Sequence, residues 1–124
     1  MTHSRQDLGR DGEILAEKHL KQHGYRILER NYRTRLGEID IIASHEGTLV
    51  FVEVKTRRSR HYGPAKASLS AAKRRRLSML ALLYLKQNRS GRTRARFDVV
   101  AIDTRGADAR VEIIANAFEL AYPD

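Results

Sequence analysis

The sequence is unusual first for what it lacks. Its 124 residues include no cysteine, no tryptophan and only two prolines. Without cysteine there can be no disulfide framework, no thiolate nucleophile and no zinc site of the cysteine type. No apolar run approaches the ~18 residues that a membrane-spanning helix needs, and the polar N-terminus lacks the apolar core of a signal peptide. We therefore expect a single cytoplasmic domain over residues 1–124 with no membrane-spanning segment.

Acidic residues are missing from the centre of the chain. Residues 54–97 hold fourteen Lys or Arg and no Asp or Glu, within a formal net charge of +9. Residues 1–50 are balanced at eight basic and eight acidic side chains, and residues 98–124 hold two basic against six acidic ones. The central stretch predicts one strongly positive surface, which would attract polyanions. Nucleic acid is the favoured partner, and an anionic membrane surface or an acidic protein is the weaker alternative.

Hydrophobic periodicity predicts seven elements in the order α-β-β-β-α-β-β. The helices are expected over residues 7–23 and about 70–88, and the strands over 25–31, 37–43, 49–56, 96–103 and 110–115. Residues 57–68 are polar and basic, which indicates a loop. The core face of the first helix is expected to carry Leu8, Leu15, Ala16 and Leu20. This order predicts an α/β fold with a mixed central sheet flanked by helices.

Charged side chains interrupt the second predicted strand. Glu38 and Asp40 alternate with Ile39 and Ile41, so we expect the two acids on one face of the strand and the two isoleucines on the other. A strand in the middle of a sheet is ordinarily apolar on both faces when helices cover it. The two acids are therefore candidates for function.

A tight hairpin would bring a second pair of charged residues beside the first. If the loop spans residues 45–48, Asp40 lies opposite Glu53 and Glu38 lies opposite Lys55. Directly opposite side chains are roughly 4.5–5.5 Å apart at Cβ, and like charges at that distance repel. A raised pKa or a cation between the acids would relieve the repulsion.

Carboxylate oxygens without histidine or cysteine favour Mg²⁺ or Mn²⁺. The expected metal ligands are Asp40 and Glu53, and Lys55 would orient or deprotonate a water or shield developing charge. The plainer alternative is a solvated face on which Glu38 and Lys55 form an ion pair.

Two helical residues are further candidates for the same site. Glu13 lies at the margin of the apolar stripe of the first helix, where it could hold a metal or a water, although a surface glutamate is the simpler interpretation. Lys73 lies at helical spacing with Leu77, Leu80 and Tyr84, on an otherwise apolar face. It either projects toward the site or extends its ammonium into water.

Basic residues next to the candidate site are the expected phosphate contacts. They are Arg57, Arg58, Arg60, Lys73, Arg74, Arg75 and Arg76. Tyr32 and Tyr62 could stack on unpaired bases, but an aromatic content of 6% argues against an extended stacking platform. On the second helix, an apolar group faces away from the core stripe and would either pack beneath a loop or form a weak homodimer surface: Met79, Leu82 and Leu83.

The runs GEIDIIA (37–43), VFVEVKTR (50–57), KRRRL (73–77) and RFDVV (96–100) resemble the YraN family of uncharacterised bacterial proteins. The similarity extends to GRDGE (9–13) and GYRILERN (24–31), and so spans most of the chain. That family in turn resembles the PD-(D/E)xK nuclease superfamily, and within it the archaeal Holliday-junction resolvases.

The resemblance implies a restriction-endonuclease-like α-β-β-β-α-β core. By motif, Asp40 and Glu53 match the two metal carboxylates, Lys55 the motif lysine, and Glu13 the glutamate on the N-terminal helix of the resolvases. Lys73 falls where related nucleases place a polar residue on the helix after the motif. The implied activity is Mg²⁺- or Mn²⁺-dependent cleavage of DNA, branched DNA included. The alternatives are a non-catalytic nucleic-acid-binding module and a basic scaffold for an acidic partner.

Overall fold

A computed structural model describes residues 5–57, 69–88, 94–104 and 109–118, with side chains from residue 11 onward. It contains two helices, α1 (Arg5–Gln22) and α2 (Ala71–Gln87). The five strands are β1 (Arg26–Thr34), β2 (Gly37–His45), β3 (Thr48–Arg57), β4 (Ala95–Asp103) and β5 (Arg110–Phe118). The predicted element order is confirmed. Within the described ranges, neither helix is long and apolar enough to cross a membrane.

All five strands form one sheet in the order β1-β2-β3-β4-β5. The β3–β4 pair is parallel, and the other three pairs are antiparallel. The parallel pair is joined through α2, because parallel neighbours need a long crossover connection. The expected mixed sheet is therefore confirmed.

The sheet has an apolar cluster on each face, and one helix covers each cluster. On the first face, residues of α2 pack against the sheet in a cluster that includes Leu77, Leu80, Tyr84, Phe51 and Phe97. On the second face, α1 contributes Ala16 and Leu20 to a smaller cluster with Val50, Val52 and Val100. Both faces of the central strands are buried, which makes any charged residue on them costly unless it is paired.

Helix α1 lies on the sheet along a narrow stripe of buried residues. Gly12, Ala16 and Leu20 are buried, four residues apart. A Cβ at Gly12 would overlap Oγ1 of Thr56 on β3, so glycine is what allows the helix to approach the strand so closely. The prediction for Leu15 was wrong, since it is 36% exposed and lies off this stripe. The side chain of Leu8 lies outside the described part of the chain.

The β2–β3 hairpin has the register predicted from the sequence. Ser44 pairs with Leu49, and the pairing extends one residue further, to His45 and Thr48. The loop is therefore two residues long, Glu46 and Gly47, with φ values of +50° and +80°. Two positive φ values in succession are what a tight turn of this twist requires, and glycine supplies the second at little cost.

The regular alternation of side chains breaks in the middle of β2. Ile39 belongs to the cluster beneath α2, whereas Ile41 belongs to the cluster beneath α1. The expectation that these two isoleucines share a face was therefore wrong. The neighbouring strand β1 is also irregular here, because Asn31 has a φ of +52° and the paired residues on either side of it skip Asp40. The irregularity lies at the candidate site.

Candidate functional site

Asp40 lies where strands β2 and β3 part. The ladder between them ends at Ile41 and Val52. A simple extension of the register had predicted that Asp40 pairs directly with Glu53, and this prediction was wrong. Instead, Asp40 Oδ2 accepts a hydrogen bond from the main-chain N–H of Val54 at 2.9 Å. This hydrogen bond holds the Asp40 side chain against β3.

Three carboxylates converge at this opening. Among the described residues, Glu13, Glu38 and Asp40 each offer an oxygen, and these oxygens all lie within 4.8 Å of one another. Glu13 is supplied by α1 and the other two by β2, so the group forms only when the helix docks on the sheet. Glu38 pairs with Arg33 at 3.2 Å, not with Lys55 as the ion-pair alternative required.

Glu53 lies beside this group but is held by two ammonium groups. Nζ of Lys73 is 2.7 Å from Oε1 of Glu53, and Nζ of Lys55 is 3.9 Å from the same oxygen. The Glu53 side chain is 11% exposed, which makes the pairing well shielded from water. Lys73 therefore projects toward the site, as one of its two sequence interpretations held.

The electrostatics of the site reflect crowded like charges. Burial, together with the nearby carboxylate of Glu53, raises the pKa of Asp40 to about 7. Burial and then the charge of Glu38 raise the pKa of Glu13. For Lys55, burial and the neighbouring ammonium of Lys73 lower the pKa. Burial acts to lower the pKa of Lys73, but the hydrogen bond to Glu53 and the charges of Glu53 and Asp40 together outweigh it, and the pKa is raised.

Asp40 borders two cavities, one on each side of the sheet opening. The cavity on the α2 side has a volume of about 260 Å³, and Glu38, Glu53, Lys73 and Arg76 line it together with Asp40. The cavity on the α1 side, of about 160 Å³, is lined by Glu13 and by an ion pair of Glu17 and Arg30. The carboxylate of Asp40 can therefore be reached from both directions.

The donor set fits a hard divalent cation. Ligand oxygens around an octahedral Mg²⁺ lie about 2.1 Å from the ion, so adjacent oxygens are roughly 3 Å apart and opposite ones roughly 4.2 Å. The oxygens of Glu13, Glu38 and Asp40 all lie within 4.8 Å of one another and would have to move closer together around such an ion. Burial first, and then the neighbouring carboxylates, raise the pKa of Asp40, and a cation among the acids would relieve the repulsion between them.

The predicted phosphate contacts are only partly described. Arg74, Arg75 and Arg76 have exposed side chains on α2, and Arg76 also borders the larger cavity. Arg57 is half-buried at the end of β3. Two of the predicted contacts and one of the predicted stacking residues lie outside the described residues: Arg58, Arg60 and Tyr62.

Two other surface predictions concern Tyr32 and the apolar group on α2. The Tyr32 hydroxyl donates to Gln87 and its ring packs edge-on against Tyr84, and base stacking by Tyr32 stays a prediction. On α2, Met79 is 45% exposed, while Leu82 and Leu83 are half-buried. A homodimer remains a prediction.

Sequence reasoning missed a buried polar cluster built on Asp98, which is fully buried. Asp98 accepts hydrogen bonds from the hydroxyl of Tyr25 at 2.7 Å, from Nε of Arg96 at 3.0 Å and from the main-chain N–H of Asn116 at 2.9 Å. Arg96 also donates to Nδ1 of His45 at 2.7 Å, and the His45 ring stacks on Tyr25. The signal was a lone acid in the apolar run FDVV, two residues after an arginine.

Sequence reasoning also gave Glu38 no role as a ligand. It lies two residues before Asp40 on one strand, a spacing that places two side chains on a common face in a regular strand. The extended hairpin register instead placed Glu38 opposite Lys55, as its ion-pair partner in the plainer alternative, because nothing local indicates that β2 and β3 diverge at this end.

Comparisons with known proteins identify relatives along nearly the whole chain. Residues 12–102 match the sequence profile of "Uncharacterised protein family UPF0102". A UPF0102 protein of Geobacter metallireducens is 49% identical over 122 residues, covering 98% of this chain and 100% of the relative. One from Desulfosudis oleivorans is 50% identical over 119 residues, covering 96% and 95%. The expected relationship to a family of uncharacterised bacterial proteins is confirmed.

Among solved structures, the chain is similar to one described as "Structure of EndoMS-dsDNA2 complex". The TM-score is 0.37 and the sequence identity 19%, over 67% of this chain and 32% of that one. This chain thus spans about a third of that protein's length.

Proposed function

We propose that this chain, which belongs to the UPF0102 family, is a divalent-metal-dependent DNA endonuclease, because lysines and arginines border its acidic site. The observation that carries the proposal is the convergence of Glu13, Glu38 and Asp40 beside a Lys55–Glu53–Lys73 cluster. Carboxylates that could hold Mg²⁺ or Mn²⁺ and lysines that could face a phosphate are the parts that phosphodiester hydrolysis needs.

Each residue has a distinct role in this proposal. Asp40 is the central ligand, because it borders both cavities and is tied to β3 through Val54. Glu13 and Glu38 complete the oxygen set, and Glu53 joins it from β3. A bound Mg²⁺ or Mn²⁺ would polarise a phosphodiester oxygen and make a bound water more acidic.

Lys55 is the candidate to orient the attacking water. Its ammonium lies on the same side of β3 as Glu53, and burial together with the charge of Lys73 lowers its pKa. A lowered pKa brings an ammonium closer to giving up a proton near neutral pH, which general acid–base chemistry requires. Arg74, Arg75 and Arg76 extend from the edge of the site along α2 and would hold the DNA backbone.

A cleavage assay tests the proposal. Purified protein is incubated with duplex, flapped and four-way-branched DNA in Mg²⁺ or Mn²⁺, beside Asp40→Asn, Lys55→Ala and the control Glu112→Gln, an exposed acid on β5. We expect metal-dependent cutting that falls by roughly 100-fold or more in the two site variants and is unchanged in the control. If the purified protein cuts none of these substrates with either metal, the proposed endonuclease activity is excluded.

A second candidate is a nucleic-acid-binding module that performs no chemistry. The pairing of Glu53 with Lys73 at 2.7 Å favours it, because part of the acidic charge is already neutralised within the protein. Such a module would bind DNA with an affinity that falls with log salt at a slope of about −0.9 per phosphate contact, without cutting it. A slope near zero would leave only a scaffold for an acidic protein.

A further inference from the structure

In the cavity on the α2 side, the ammonium of Lys73 is hydrogen-bonded to the carboxylate oxygen of Glu53 that a metal ion would need as a ligand. Glu53 Oε1 is bonded to Nζ of Lys73 at 2.7 Å, and Glu53 is absent from the group of carboxylates that already lie within reach of a common ion. The acids of the site are thus divided into a trio around Asp40 and a separate Glu53.

We propose that Lys73 is a built-in competitor for the metal: its ammonium holds Glu53 until a divalent cation displaces it from that carboxylate. This inference rests on the proposed metal site and concerns how that site is filled. Lys73 acts through Glu53 and is therefore a positioning residue, whatever further contact it makes with DNA.

The backbone of α2 fixes the position from which Lys73 reaches Glu53. Ser70 caps the helix, and its hydroxyl accepts a hydrogen bond from the main-chain N–H of Lys73 at 3.1 Å. Leu69, just before the cap, is buried in the cluster beneath α2. Because both the cap and the buried leucine anchor this turn, the lysine approaches Glu53 from a defined direction.

Repulsion between two ammonium groups makes the ion pair of Lys73 and Glu53 easier for a metal ion to displace. Lys55 lies 3.9 Å from the same oxygen of Glu53, so two ammonium groups crowd one carboxylate. When a divalent cation takes this oxygen, Lys73 can move outward, since its side chain is already 37% exposed. Its ammonium is then free to meet a phosphate at the mouth of the cavity, next to Arg76.

The test is the affinity for metal, measured by titration calorimetry with Mn²⁺ alone and no DNA. We expect Lys73→Met to bind Mn²⁺ on the order of tenfold more tightly than the wild type, since a hydrogen bond between charged groups no longer has to be broken. Lys86→Met, which removes an exposed lysine from the last turn of the same helix, is the matched control and should leave the affinity unchanged.

A double-mutant cycle separates competition for Glu53 from a general change in charge. In a Glu53→Gln background, the gain from Lys73→Met should vanish, because the contested carboxylate is gone. An equal gain in both backgrounds, or no gain in the wild-type background, overturns the inference while leaving the metal site in place. If neither the wild type nor Lys73→Met binds Mn²⁺, the metal site itself fails.

Thermal unfolding supplies a second measurement on the same variants. In EDTA, Lys73→Met should melt below the wild type, because Glu53 is left buried without its closest partner. Saturating Mn²⁺ should remove that difference. A difference that persists unchanged in Mn²⁺ would contradict the inference, since it would show that Lys73 supports the fold without exchanging with the metal.

Discussion

The main-chain N–H of Val54 donates a hydrogen bond to Oδ2 of Asp40 across the opening between β2 and β3. The bond forms beyond the last ladder pair, Ile41 and Val52, so a side chain takes over where the backbone pairing stops. It also favours the charged form of a carboxylate that burial and Glu53 drive toward protonation. Asp40 is thus held in place while its charge remains unfavourable.

The contribution of Asp40 to the stability of the metal-free protein should therefore fall as the pH rises. The pKa of Asp40 is about 7 in the folded protein and near 3.8 when unfolded, so between these values the folded state binds the extra proton. This contribution is fully present below the unfolded pKa and is lost as the pH rises from there through about 7. We expect Asp40→Asn to be more stable than the wild type at pH 8 by about 2–4 kcal/mol.

Urea unfolding in EDTA at pH 5 and pH 8 measures this effect. The asparagine retains an oxygen that can accept the hydrogen bond from Val54, so the comparison isolates the charge. Glu112→Gln is the control and should track the wild type at both pH values. Equal stabilities of wild type and Asp40→Asn at pH 8 would show that the carboxylate is adequately neutralised without metal.

Gly12 should be intolerant of a methyl group, because a Cβ would overlap Oγ1 of Thr56. Alanine is intrinsically better than glycine in a helix by about 1 kcal/mol. We nevertheless expect Gly12→Ala to lower the free energy of unfolding by about 1–3 kcal/mol, since α1 must move away from β3. Urea unfolding is the measurement.

A second variant tests the cause of that loss. In a Thr56→Ala background the obstructing oxygen is absent, and Gly12→Ala should become neutral or stabilising. Should the loss be the same in both backgrounds, the contact with Thr56 is not its origin.

The cap of α2 should contribute measurably to stability. Ser70→Ala removes the acceptor for the N–H of Lys73, and we expect the free energy of unfolding to fall by about 1 kcal/mol. Ser70→Thr retains a hydroxyl and should recover most of it. Chemical denaturation of the three proteins measures their free energies of unfolding. A threonine variant as unstable as the alanine variant would argue against capping by the hydroxyl.

The Asp98 cluster should be among the most sensitive positions in the fold. Asp98→Ala leaves Arg96 without its buried carboxylate and Tyr25 without its acceptor, and we expect a loss of about 3–5 kcal/mol. Tyr25→Phe removes a single hydrogen bond and should cost about 1 kcal/mol. Both are measured by urea unfolding, and similar losses for the two would contradict the central place of the carboxylate.

Much of the fold could be predicted from the sequence, because its signals are local. The order of helices and strands follows from periodicity, and the register of the β2–β3 hairpin follows from placing a short, glycine-containing loop at residues 45–48. That register by itself predicts that Asp40 and Glu53 lie near each other. Their exact relation could not be obtained in this way, since pairing was assumed to continue to the strand ends.

What the sequence by itself determined is the set of groups: four acids, two lysines and a run of arginines on elements of known type. The tertiary structure alone decided their partners. Strands β2 and β3 diverge after Ile41 and Val52, α1 delivers Glu13 to Glu38 and Asp40, and α2 delivers Lys73 to Glu53. The physical reason is that periodicity reflects the local backbone, whereas these contacts depend on how two helices far apart in the chain dock on opposite faces of one sheet.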